Sequence, residues 1–184
     1  MRSLFLAASL SAFACLSLSG CATQTNPTTL DALLTVMTER LAIADPVALS
    51  KWDSGKPVED LPREQQVIAA ATARAAEFKL EQGDVQRLFR AQIEANKQVQ
   101  NALLTQWQSA GRAPDLPRRS LANDIRPQLD ILQTRLLQAY SAFLPLRDDP
   151  QCLTRLSAAR QQHLTDPIHD QALVRATQGL CIKS

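Results

Sequence analysis

The sequence predicts an all-α fold, a single helical bundle of about six helices. Three observations carry this. The 184 residues include only 5 glycines and 4% aromatics against 45% hydrophobics, and Ala, Leu and Gln are abundant, a balance that favours helix over sheet. Apolar residues recur every three or four positions between short, punctuated turns. No segment alternates apolar and polar as a half-buried strand does, and the sequence shows neither an internal repeat nor a glycine-rich phosphate loop.

The amino-terminal segment reads as a targeting signal. Met1-Arg2 is its positive end, and "LFLAASLSAFACLSL" is an apolar run too short to span a bilayer comfortably. It closes in "LSGC" (Leu18 to Cys21), which resembles a bacterial lipobox, with Cys21 as the lipidated first residue of the mature chain. An ordinary signal cleaved nearby, for instance after Ala22, is the alternative. Residues 1–20 are thus expected to be removed, residues 21–29 to form a polar tether, and residues 30–184 to fold. Either route puts the mature protein outside the cytoplasm, in the periplasm on a lipid anchor or soluble there or secreted.

The first helix is expected from about Thr29 to Trp52, with Leu30, Leu33, Leu34, Met37, Leu41 and Ile43 on one side and Pro46 bending it. "DSGKPVED" (Asp53 to Asp60) is a loop. A second helix opens at "EDLPRE", with acids at its N-terminus, and stops at Gly83. The third takes Asp84 as N-cap and runs to about Ala110. "GRAPDLP" breaks the chain, and a fourth helix covers roughly Ser120 to Phe143, Pro127 marking its first turn or a kink. Two shorter helices follow, about Gln151–Leu164 and Pro167–Cys181, the last with Asp166 as N-cap and Pro167 at the first helical position.

Charge and cysteines narrow the function. A net charge of +2 with no basic run argues against nucleic acid as a partner. Once Cys15 leaves with the signal and Cys21 is set aside for lipid, Cys152 and Cys181 remain in an oxidising compartment, and one disulfide is the natural reading. The rival, a catalytic cysteine, lacks a nucleophile context. His163 and His169, six apart, fall on different faces of a helix, which disfavours a metal site.

The chemistry sits in polar residues placed where helices should be apolar. Arg40 and Lys51 are eleven apart, close to three full turns of about 3.6 residues, and so point the same way. Asp60 and Arg63 are one turn apart at the mouth of the second helix. Asn96 and Gln100 are neighbours at four-residue spacing, and Arg135 lies between Leu132 and Leu136. Singly, each has an ordinary explanation as a solvated charge, a cap or a wet helix face.

Together, R-x10-K-x8-D-x2-R, Asn-x3-Gln within "QIEANKQVQ" and a later Arg resemble the all-helical chorismate mutases. "ADPVALSKW", "PVEDLPRE", "LDILQTRLL" and the pair Cys152/Cys181 are similar to their exported subclass, over nearly all of Leu30 to Cys181. The resemblance implies an isomerase that converts chorismate to prephenate in one intramolecular step without a cofactor or metal. It implies that Arg40 and Arg135 clamp the substrate carboxylates, with Arg63 joining or buttressing them. Lys51 would reach the ether oxygen and a carboxylate, and Gln100 would donate to the same oxygen. Asp60 would accept from the ring hydroxyl, and Asn96, where Ser or Thr is common, would hold a carboxylate or that hydroxyl. A homodimer with each site built from one chain is also implied. Two other readings are an isochorismate pyruvate lyase on the same fold, which the exported-subclass motifs disfavour, and a noncatalytic envelope lipoprotein, which gives no reason for the constellation.

Overall fold

The structure, a computed structural model, describes residues 28–182; the expected signal segment, Cys21 and most of the tether lie outside the described residues. Seven α-helices follow one another: α1 (Thr29–Ala42), α2 (Ala44–Ser54), α3 (Leu61–Ala73), α4 (Gln82–Ala110), α5 (Arg126–Phe143), α6 (Cys152–Gln161) and α7 (Pro167–Ala176). Strands are absent among the described residues.

The single first helix expected from the sequence is two. The break falls at Ile43, three residues before Pro46, because a proline offers no N–H and its ring crowds the carbonyl four residues back. Pro46 then sits in the first turn of α2, where a missing donor costs little. The second expected boundary also moves. Helix α3 ends at Ala73, a 3-10 turn covers Ala75–Phe78, and α4 begins at Gln82 with Gly83 inside its first turn. Asp84 is accordingly not an N-cap. It is buried in the first turn of α4, where it pairs with Arg87 and accepts from Arg147 at 2.9 Å, tying α4 to the segment after α5. Ahead of α5, Leu121–Ile125 form a π-helical turn capped by Ser120, and the wider turn lets Pro127 enter the first turn of α5. Asp166 does cap α7, accepting from the N–H groups of Ile168 (2.9 Å) and His169 (3.2 Å).

Helix α4, 29 residues and hence about 44 Å long, is the spine. It packs along α7, α3 and α2, while α1 lies against α5 and α7. Leu33, Leu34, Met37 and Leu41 of α1, Val85, Phe89 and Val99 of α4, Leu136 and Leu137 of α5 and Leu173 of α7 are buried in one continuous core. A smaller cluster joins Ala48 and Leu49 to Trp107, whose ring meets Trp52 edge-on at 6.2 Å. Cys152 and Cys181 form a disulfide with Cα atoms 5.8 Å apart, fastening the start of α6 to the segment beyond α7.

Along one inward stripe of α4, beside the buried Ala95 and Val99, the residue type changes midway. Val85, Leu88 and Phe89 give way to Gln92, Asn96 and Gln100, one turn apart, before Leu103 and Trp107 resume the apolar pattern. Buried amides are expensive unless bonded. The cavity lies at this stretch.

Candidate active site

A cavity of about 200 Å³ opens where α4 faces α1, α2, α3 and α5. Each wall brings between one and four polar groups. The last turn of α1 gives Arg40, and α2 gives Lys51; although the helix breaks between them, both line the cavity. The N-terminus of α3 supplies Asp60, Arg63 and Glu64. Helix α4 supplies Gln92, Asn96, Lys97 and Gln100, and α5 supplies Arg126, Asp130 and Gln133. Ile43, Val47, Val58, Val67, Ile93, Leu121, Ile125 and Leu129 fill the remaining wall.

Six of the seven residues expected at the site line this one cavity. Arg135 does not. It forms a two-pronged ion pair with Glu39 on the surface, with Nη2 donating to Oε1 at 2.9 Å, and both side chains are over a third exposed. The cavity face of α5 is Arg126, Leu129, Asp130 and Gln133, and nine steps of about 100° from Arg126 put Arg135 on the opposite side. Arg126 stands on the cavity wall instead, and it has no carboxylate partner among the described residues.

Arg40 is the deepest cation, 8% exposed. Burial pushes its pKa down to about 10, still well above neutrality. Its guanidinium lies over the Phe89 ring, 5.4 Å from the centroid, and Nη1 reaches the Leu129 carbonyl only at 3.5 Å, while Nε is buried without a partner among the described residues. Lys51, Arg63 and Arg126 likewise have no ion pair among the described residues, and they sit nearer the mouth, half-buried or exposed. Lys97 differs. It is shared by Glu64 at 3.1 Å and Glu94 at 2.8 Å, and these carboxylates raise its pKa against the opposing effect of burial. Asp60 accepts from the Arg63 N–H at 3.2 Å and so caps α3, while Glu64 Oε1 accepts the Asp60 N–H at 3.4 Å.

On α4 the amides form a chain. Asn96 Nδ2 donates to the carbonyl of Arg40 at 3.2 Å, and Gln100 Nε2 donates to Asn96 Oδ1 at 2.7 Å. Gln92 Nε2 donates to the Ala176 carbonyl at 3.1 Å, joining the cavity wall to the end of α7. Gln92 Oε1 and Gln100 Oε1 are buried without partners among the described residues. Sequence reasoning missed Gln92, Arg126 and the Glu64–Lys97 pair. Gln92 was within reach, being four residues before Asn96 on the same stripe, whereas Glu64 and Lys97 are 33 residues apart on two helices and leave no local signal.

The lining carries five cations (Arg40, Lys51, Arg63, Lys97, Arg126) against three carboxylates (Asp60, Glu64, Asp130), a surplus of two positive charges. A small dianion would balance it. The fold and cavity define an all-helical protein with a cationic cavity whose charge suits a small dianion.

Residues 30–101 match the family model of chorismate mutase type II. The chain is 34% identical over 158 residues to the secreted chorismate mutase of Mycolicibacterium smegmatis, covering 81% of this chain and 84% of that protein. It is 31% identical over 156 residues to the secreted chorismate mutase of Mycobacterium tuberculosis, covering 81% and 76%. The crystal structure of chorismate mutase from Burkholderia phymatum superposes with a TM-score of 0.81 at 44% identity, over 84% of this chain and 99% of that one. The chain belongs to the type II chorismate mutase family, and it is an isomerase.

Proposed function

We propose that this cavity carries out the rearrangement of chorismate to prephenate, with Arg126 taking the part that the sequence suggested for Arg135. Chorismate is a dianion with an enol ether, and it rearranges without a nucleophile, a proton transfer or a cofactor. Negative charge gathers on the ether oxygen as the C–O bond lengthens. A protein can therefore help by holding the two carboxylates so that the reactive conformer is favoured, and by aiming donors at that oxygen.

In this reading Arg40 and Arg126 hold the carboxylates with planar forks, from the bottom and the mouth of the cavity. Arg40, stripped of water, binds an anion more strongly than an exposed guanidinium would. Arg63 adds positive charge beside them, and Lys51 reaches the ether oxygen and a carboxylate. Gln100 donates its second Nε2 hydrogen to the ether oxygen from across the cavity. Asp60 accepts from the ring hydroxyl. The observation that carries the reading is the surplus of two positive charges in a cavity that contains six residues expected from the sequence. Purified protein should consume chorismate, followed as loss of its enol-ether absorbance, and Arg126→Ala should slow this far more than Arg135→Ala. The opposite ranking would return Arg135 to the site and remove Arg126.

The targeting segment and the secreted relatives support export of the chain. We place the mature protein in the periplasm, anchored by a lipid on Cys21. Mass spectrometry of the mature amino terminus distinguishes a diacylglyceryl-Cys21 from a chain cut after Ala22. A homodimer is proposed as well. All the groups invoked here belong to one chain, so each protomer would work alone, and dilution below the dimer's dissociation constant should leave turnover per chain unchanged.

A further inference from the structure

We propose that Asn96 is a positioning residue that orients Gln100, not a ligand of the substrate; this rests on the assignment of Gln100 to the ether oxygen. A backbone carbonyl sets the direction of the amide chain. The Arg40 oxygen can only accept, so the Asn96 atom facing it at 3.2 Å must be the NH₂ group. The other side of the Asn96 amide is then Oδ1, which can only accept as well. Gln100 must answer with Nε2, at 2.7 Å. A side-chain amide can usually be turned over with little change in shape. Here turning either one would bring two oxygens face to face. The direction of the Gln100 amide is thus dictated from the main chain of α1 through one intermediate.

Two further observations make this relay matter. Gln100 is 5% exposed, yet its Oε1 has no partner among the described residues, so its own oxygen does nothing to fix its orientation. Only the Asn96 bond does. The Arg40 carbonyl, for its part, lies in the last turn of α1, where carbonyls run out of helical partners, and the break before Pro46 keeps the helix from supplying one in register. Arg40 is also a cavity residue by its side chain. The relay therefore joins two groups assigned to opposite parts of the substrate, the Arg40 guanidinium and the Gln100 amide, and fixes their spacing. Each polar atom of Asn96 makes one bond in doing so, and Nδ2, tied to the main chain of α1, is held by the Arg40 carbonyl.

A double-mutant cycle tests this, with kcat and KM for chorismate measured in wild type, Asn96→Ala, Gln100→Ala and the double variant. If Asn96 acts through Gln100, Asn96→Ala lowers kcat by roughly tenfold through lost alignment, with KM within about twofold of wild type. The double variant is then no slower than Gln100→Ala alone. Two independent losses that multiply, or a loss carried by KM, would make Asn96 a substrate ligand and overturn the proposal. Gln100→Ala indistinguishable from wild type would instead overturn the assignment of Gln100 on which the relay depends. Asn96→Leu, similar in volume and without polar atoms, replaces the alanine variant should that one not fold.

Discussion

Arg40 and Arg126 carry the same charge in opposite surroundings, one sealed beneath the cavity and the other at its mouth. A fork that takes two carboxylate oxygens cannot be replaced by a point charge, so Arg40→Lys should lose the equivalent of one charge-assisted bond, about 1.5–3 kcal/mol. That is roughly tenfold to a hundredfold in kcat/KM. Arg135→Ala breaks only an exposed pair with Glu39, expected to be worth under about 1 kcal/mol of stability, and should leave kcat/KM within about twofold. At Gln100 the informative change is to Glu. An amide donates at every ordinary pH, so wild-type activity should be flat while the fold holds. A carboxyl group donates only when protonated, and once ionised it faces the oxygen on which charge develops. Gln100→Glu should be poor at neutral pH and recover as pH falls. Equal pH profiles for the two proteins would show that this amide does not meet the reacting oxygen.

Between helices, one contact sensitive to pH joins α7 to α2. His169 lies between Asp45 of α2, 3.0 Å from Nε2, and the capping Asp166, 2.7 Å from Nδ1. Its bond to Asp45 raises its pKa, with a smaller rise from Asp166, against the opposing effect of burial. A raised folded-state value means that the contact is at full strength below the ordinary histidine pKa of about 6.5 and is lost as pH climbs through the raised one. The melting temperatures of wild type and His169→Gln should therefore lie furthest apart in acid and converge above neutrality; a gap independent of pH would mean that the imidazole charge is not involved. None of this could be foreseen from His163 and His169 in sequence, because Asp45 lies 124 residues away. What local spacing could convey, it did: the periodicity located the helices, and the pairs Asp60/Arg63 and Asn96/Gln100 stayed together because each lies within a turn of one helix. Where spacing crossed a break, phase was lost. Arg40 and Lys51 meet at the cavity despite the interruption at Ile43, but the π-helical turn before Pro127 hid the fact that Arg126 opens the cavity face of α5. Counting phase along α5 from Leu137 back to Arg126 would have preferred that arginine to Arg135.

For the molecule as a whole, the disulfide closes a loop with a sequence separation of 29, worth about 3–4 kcal/mol on the chain-entropy estimate. Neither cysteine lines the cavity. A double Cys152→Ser, Cys181→Ser variant should melt about 10 °C lower. Its kcat while folded should match wild type; a matching melting curve would leave the bridge without a stabilising role. The uneven depth of the cavity's cations has one more effect, on arrival. Lys51, Arg63 and Arg126 near the mouth outnumber the exposed carboxylates Asp60 and Asp130 beside them, so the mouth keeps a net positive field that draws a dianion inward, and dissolved salt screens such a field within about 8 Å at physiological ionic strength. Arg40, beneath the protein surface, is beyond the reach of those ions. Added salt should therefore raise KM severalfold while kcat hardly moves. For an exported enzyme, the substrate level needed for half-saturation would follow the ionic strength beyond the cytoplasm, while the speed of the bound complex stayed its own.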